Sequence, residues 1–252
     1  MVKVAAISYL NTLPFIYGLE NHPVNKQIEL SICTPSAGAD RIISGQADLG
    51  IIPVAAVPFI PDYRIVSDYC IGATGNVASV LLCSGLPLKD IKRLYLDVDS
   101  RSSVLLSRIL CRHYWKISPE FRDFDFYTQA FDPEDSYIMI GDKALENAGK
   151  FKYVYDLAGE WINFKGKPFV FACWISNKEL EPAFLKEFNN ALAYGVHHIG
   201  EAIEKANIKF SKQFAQNYLC HNISYNLDDT KKEGLQDFWA LALEELKSKV
   251  RR

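Results

Sequence analysis

Paired cysteines are missing from this 252-residue chain: the six cysteines stand at 33, 70, 83, 111, 173 and 220, with no C-x-x-C among them. Wide spacing of this kind speaks against a zinc site or a disulfide framework and for reduced, mostly buried thiols in the cytoplasm. Long apolar runs are also lacking, and nothing approaches the roughly 20 uncharged residues of a membrane span. Lys3 and the apolar residues after it begin like a secretion signal, but Ser8, Asn11 and Thr12 interrupt the run. No small-residue cleavage site follows them. Charge of one sign is scarce as well. The 28 Lys and Arg against 30 Asp and Glu leave a net charge of −2, which gives no electrostatic case for nucleic acid or an anionic membrane.

Motifs that would name a chemistry directly are absent. There is no G-x-G-x-x-G, P-loop, H-E-x-x-H or G-x-S-x-G, so nucleotide, zinc and hydrolase readings gain no support. The histidines at 22, 113, 197, 198 and 221 fall in expected helices or loops, away from the strand tips. No metal and no cofactor is expected, and no repeat or low-complexity segment interrupts the chain.

What is present is the pattern of an α/β protein. Apolar content of 49% with 23% charged residues suits a soluble globular chain with a core of its own. Short apolar runs alternate with helical patterns. Strands are expected at Val2–Ile7, Ile28–Cys33, Asp48–Ile52, Ile65–Tyr69, Ala78–Cys83, Leu94–Val98, Tyr137–Ile140 and Phe169–Ile175. Helices are expected from Leu13, from Pro35-Ser36 to a glycine cap near Gly45, over Val104–Trp115, from Lys143, and from Lys178 nearly to the end. Breaks near Asn207 and Cys220–Tyr225 interrupt the last of these. The layout predicts two lobes, residues 1–84 with 176–252 and residues 85–175, joined by two strand-like crossings. A ligand would then bind in the cleft between them, beyond the carboxyl ends of strands.

Four clusters of polar residues fall at expected strand tips. Ser8-Tyr9-Leu10-Asn11-Thr12 follows the first strand, where Thr12 could cap a helix and Ser8 and Asn11 could shape a turn, or all four could meet a ligand. Asp99-Ser100-Arg101-Ser102-Ser103 opens a helix, whose free N–H groups and partial positive charge suit a carboxylate or phosphate. A serine cap balanced by Asp99 is the plainer explanation. Gly141-Asp142-Lys143 repeats the strand-to-helix pattern, with Asp142 either a cap or an acceptor for a ligand hydroxyl. Thr74–Ser79 is a glycine-containing loop entering a strand at the expected hinge. Together these suggest many neutral donors and few strong acids or bases, as an anionic small molecule would need.

The same residues carry a family resemblance. Tyr9–Pro14, Ser44–Val54, Val77–Leu82, Leu96-Asp97 with Ser100–Ser103, and Ile140–Leu145 resemble the chorismate dehydratases of menaquinone biosynthesis. Asp156-Leu157 with Glu160-Trp161, Pro168–Ala172 and Trp174 extend the likeness over nearly the whole chain. The resemblance implies a periplasmic-binding-protein-like, two-lobed α/β fold. It also implies a cytoplasmic lyase of the futalosine route that converts chorismate to 3-[(1-carboxyvinyl)oxy]benzoate and water. By that likeness Asn11 and Ser79 are the catalytic candidates, and Ser100, Arg101, Ser102 and Ser103 match a family segment; with the strand-tip residues Ser8, Tyr9, Thr12, Ser36 and Asp142 they make up the substrate-binding candidates. Two departures stand out. Ser102 replaces a usual Thr, keeping a hydroxyl, and the usual G-P-V-R-S reads Gly75-Asn76-Val77-Ala78-Ser79, losing an Arg. If that Arg holds a carboxylate in relatives, Arg101 or backbone must do so here. Two rivals share the fold: 1,4-dihydroxy-6-naphthoate synthase, whose first strand tip reads S-P-x-x-D rather than Y-L-N-T, and a binding protein for a small carboxylate without catalysis. A regulatory effector-binding domain is a third, without an attached DNA-binding module.

Overall fold

A computed structural model describes residues 1–250, with the side chains of all of these except 35, 36 and 246–250. The chain divides into two compact units, Met1–Gly72 with Val170–Asp228, and Ala73–Phe169 with the stretch from Asp229 onward.

The first unit is built on a six-stranded sheet in the order β11-β4-β10-β3-β1-β2. Its strands are β1 (Val2–Ile7), β2 (Ile28–Cys33), β3 (Leu49–Pro53), β4 (Arg64–Ala73), β10 (Phe169–Ser176) and β11 (Ser224–Asn226). β1 runs parallel to β2 and β3, while β10 lies antiparallel to β3 with Trp174 opposite Ile51. β3 and β10 are buried at every residue, as strands covered on both faces must be, and they read as unbroken apolar runs for that reason. Helices α1 (Leu13–Asn21), α2 (Pro35–Ile43), α6 (Pro182–His197), α7 (Ile199–Lys205) and α8 (Lys212–His221) belong to this unit. Phe15, Trp174 and Phe188 form its aromatic centre, with edge-to-face centroid distances of 5.8 Å and 5.0 Å. Each such ring, fully buried, stabilises by about 1.5–3 kcal/mol. α1 and α6 touch backbone to backbone: a Cβ added to Gly195 would stand 1.8 Å from the Pro14 carbonyl oxygen. Only a glycine fits there.

The second unit carries a five-stranded sheet, β7-β6-β8-β5-β9. Its strands are β5 (Val80–Ser84), β6 (Arg93–Asp97), β7 (Glu120–Phe124), β8 (Ser136–Ile140) and β9 (Tyr153–Asp156). Its helices are α3 (Ser102–Ile109), continued by a π-helical segment over Leu110–Trp115, α4 (Gly141–Asn147), α5 (Leu157–Lys165) and α9 (Asp229–Val250). Lys116, at φ 57°, ends the π-helical segment in the left-handed conformation. One face of the sheet packs Tyr137, Phe124, Met139 and Phe151 together. On α9, Phe238 meets Trp161 and Phe169 edge-on at 6.2 Å and 5.1 Å. Asp237 adds an ion pair to Lys167 at 3.1 Å.

These partners change the boundaries expected from the sequence. β5 pairs with β8 and β9 and so belongs to the second unit, whereas the sequence pattern puts residues 1–84 in the first. α9 likewise groups with the second unit, because its apolar face meets Trp161 and Phe169. The chain consequently passes between units three times rather than twice. Among the described residues, no helix is long and apolar enough to cross a membrane.

Candidate functional site

In the first unit, the parallel arrangement of β1, β2 and β3 brings their carboxyl ends to one sheet edge. Two expected site segments lie at that edge, Ser8–Thr12 after β1 and Ser36 in the first turn of α2 after β2, beside the chain leaving β3. The Ser36 side chain lies outside the described residues. Ser8 is exposed, and Tyr9 and Asn11 are half-buried. Leu10–Thr12 forms a single 3-10 turn leading directly into α1. Thr12 is 1% exposed, and its hydroxyl is directed to the carbonyl oxygens of Ile7 and Tyr9. It does not cap α1. Its work is to fold the chain back at the strand tip, so that Asn11 projects from a fixed turn. The Asn11 carbonyl oxygen is held from the far end of the chain by the Tyr225 hydroxyl at 3.1 Å.

In the second unit, β6 and β8 are parallel, and β5 is antiparallel to both β8 and β9. The register sets Val80 opposite Ile140 and Leu81 opposite Asp156. The amino end of β5 therefore shares one edge with the carboxyl ends of β6, β8 and β9. Ser79, Ser100–Ser103, Asp142 and Asp156 all fall there, as do the amino termini of α3, α4 and α5. Of the three helix N-termini at this edge, that of α5 is satisfied by the Asp156 carboxylate, which leaves those of α3 and α4.

Ser79 is fully buried, and its carbonyl oxygen accepts the Gly141 N–H at 2.8 Å, tying the β5 loop to the start of α4. Asp156 fixes the loop from the other side. Its Oδ1 accepts the N–H groups of Val77, Ala158 and Gly159 at 3.0–3.1 Å, and its Oδ2 accepts that of Ala78 at 2.7 Å. Burial raises its pKa above the ordinary carboxylate range, and the four N–H donors act against that rise. Ala78 holds φ 61°, a left-handed conformation that costs an L-residue energy and persists because Asp156 grips it.

Ser100 proves to be the cap of the next segment. Its N–H donates to the Asp97 carbonyl oxygen at 3.0 Å, and its hydroxyl accepts the Ser103 N–H at 3.2 Å. Arg101 is exposed, whereas Ser102 and Ser103 are buried in the first turn of α3. Asp142 is half-buried at the start of α4.

Sequence reasoning missed the charged cluster beside these residues. Asp97, fully buried at the end of β6, receives the Lys143 ammonium at 2.9 Å, and Asp99 receives it at 3.1 Å. The Lys143 ammonium also sits over the Tyr127 ring, 4.8 Å from its centroid. Burial pulls the Lys143 pKa down, but the two carboxylates outweigh it and leave the group above its ordinary value. Burial raises the Asp97 pKa in turn, against the pull of Lys143. The charged Lys143 thus links α4 to the β6–α3 loop. The available signal was an acid at the last residue of a strand with another two residues on, in Leu96-Asp97-Val98-Asp99.

Among the described residues, no group of three or more His, Cys, Asp or Glu side chains could hold a metal ion. All six cysteines are free, and burial pushes the Cys83 and Cys111 thiols up to about 12, away from nucleophilic chemistry.

Comparison with known proteins bears on the family and the fold. A family model described as menaquinone biosynthesis matches residues 2–244. A chorismate dehydratase of Thermus thermophilus is 24% identical over 196 residues, 69% of this chain and 71% of that protein. Among solved structures, protein AF1704 of Archaeoglobus fulgidus superposes with a TM-score of 0.78 at 16% identity, covering 97% of each chain. The periplasmic aliphatic sulphonate binding protein SsuA of Escherichia coli gives 0.62 at 14% identity, over 99% of this chain and 92% of that one. Two α/β units with mixed sheets, in the manner of periplasmic binding proteins, and a match along nearly the whole length place this chain in the menaquinone biosynthesis family.

Proposed function

We infer that the chain is a chorismate dehydratase, a lyase that removes water from chorismate to give 3-[(1-carboxyvinyl)oxy]benzoate. The observation that carries the reading is the edge of the second sheet. Buried Ser79, the serines opening α3 and the start of α4 offer neutral donors and helix N-termini where carboxylates bind well. The Thermus thermophilus relative points to the substrate.

The reaction needs little from the protein beyond orientation. Chorismate loses its ring hydroxyl and a ring hydrogen as water, and the ring becomes aromatic, so product stability supplies much of the driving force. The protein contributes by holding the substrate carboxylates and assisting departure of the hydroxyl. The start of α3, with the Ser102 and Ser103 side chains and backbone, takes one carboxylate. By the family resemblance Asn11 and Ser79 each act on the substrate through hydrogen bonds, Ser79 being the one at this edge. No side-chain base stands among these residues, and a carboxylate of the substrate itself accepts the ring proton. Free thiols throughout the chain are consistent with work in the cytoplasm, as one step of the futalosine route.

Purified protein mixed with chorismate, without added metal or nucleotide, tests the reading directly. Chromatography and mass spectrometry should reveal an aromatic product one water lighter with its enolpyruvyl group intact. Chorismate recovered unchanged from folded protein would overturn the reading in favour of a binding protein or 1,4-dihydroxy-6-naphthoate synthase. Tight binding of chorismate without turnover would single out the former.

A further inference from the structure

The Asn11 loop is held by a residue 214 positions away in sequence. β11 pairs with β4 through Ser224 opposite Gly72 and Asn226 opposite Tyr69. Two residues of β4, Cys70 and Ile71, therefore face Tyr225 alone, which is the count of a β-bulge. Bulges re-aim side chains. Here the Tyr225 ring packs edge-on against Phe15 at 5.2 Å, and its hydroxyl donates to the Asn11 carbonyl oxygen at 3.1 Å. Phe15 is itself fully buried, wedged between Tyr225 and Trp174. Ring and hydroxyl together make a rigid strut from the sheet to the turn.

We propose that Tyr225 is a positioning residue for Asn11. The consequence for turnover rests on the dehydratase reading; the structural part does not. Thr12 ties one side of the 3-10 turn to Ile7 and Tyr9, and Tyr225 ties the other at Asn11 itself. Strand-tip turns with few buried contacts open locally at low cost. Two ties fix the backbone of Asn11, and with it the point from which its carboxamide reaches out. Tyr225 is buried, and burial raises its hydroxyl pKa well above the ordinary value, so the strut is protonated at neutral pH.

The experiment uses the full-length chain with Tyr225→Phe, Asn11→Ala and the double variant. Tyr225→Phe keeps the ring and removes only the strut's hydroxyl, and its melting temperature checks that packing survives. Hydrogen exchange over residues 8–13 should quicken in Tyr225→Phe while the rest of the molecule is unchanged, a readout that needs no substrate. With chorismate, Tyr225→Phe should lower kcat about tenfold with KM little altered, the pattern of a misplaced reacting group. In the Asn11→Ala background the same change should lower kcat no further, because two residues acting through one group are not additive. Unchanged exchange over residues 8–13, or an equal loss of kcat with Asn11 already removed, overturns the proposal. If the wild type leaves chorismate untouched, the dehydratase reading falls, and the exchange measurement alone decides for or against Tyr225.

Discussion

Asp156 accepts the Ala78 N–H at 2.7 Å while Ala78 holds φ 61°. One carboxylate thus caps α5 and fixes a strained residue immediately before Ser79. The strain is local and removable. Ala78→Gly should raise stability by about 0.5–1 kcal/mol, since relief of a left-handed alanine outweighs the added freedom of the unfolded chain. Urea unfolding measures it, and a loss of stability would show that the Ala78 methyl group makes a contact worth more than the strain.

Lys143 and Asp97 form a buried pair whose members depend on each other. Lys143→Met should destabilise the protein by about 3–5 kcal/mol by leaving Asp97 buried without its cationic partner. The double variant Asp97→Asn with Lys143→Met should recover most of that loss. Guanidinium unfolding of the two single variants and the double measures the coupling, and equal losses in the single and double variants would contradict it.

Asp48 links the start of β1 to β3. Its Oδ2 accepts the Lys3 N–H at 2.8 Å, its own N–H donates to the Lys3 carbonyl oxygen at 2.8 Å, and Lys178 pairs with the carboxylate. Burial works to raise its pKa, but the bonds from Lys178 and Lys3 overcome it, and the folded value is lowered. A lowered folded value gives stability that is present above the unfolded pKa of about 3.9 and lost as the pH falls through the folded value. Asp48→Asn should therefore melt below wild type at pH 7, and the gap should close below roughly pH 4. A gap that stays constant across that range would refute the linkage.

Ser79→Ala and Asn11→Ala should each lower chorismate turnover on the order of a hundredfold, as loss of one preorganised donor does. Unfolding should shift by only about 1 kcal/mol. Full activity in either variant removes that residue from the reaction.

How much of this was legible beforehand varies by element. β1 and β2 stand where their apolar runs predicted, and Gly45 at φ 71° ends α2 as its cap position required. β7, β9 and β11 were missed because short edge strands need no apolar run. Glu120–Phe124 buries one residue of five, and Ser224–Asn226 spans three residues in all. At the candidate site, polar strand tips were visible as clusters, but their division of labour was not. Whether Ser100 caps, or Thr12 turns the chain, depends on backbone geometry that residue type leaves open. Asp156 and Tyr225 were invisible as anchors because their partners lie 78 and 214 residues away.

The assignment of α9 to the second unit sets an order for birth on the ribosome. The first unit has all its residues once Asp228 has emerged, whereas the second waits for Asp229 and the helix beyond. Until then the Trp161 and Phe169 surfaces that Phe238 covers lie open. Domains fold as units during synthesis, and uncovered apolar faces are where nascent chains misassemble. A chain released early, short of Phe238, would thus carry a completed first unit and a sticky second one, a distinct substrate for chaperones.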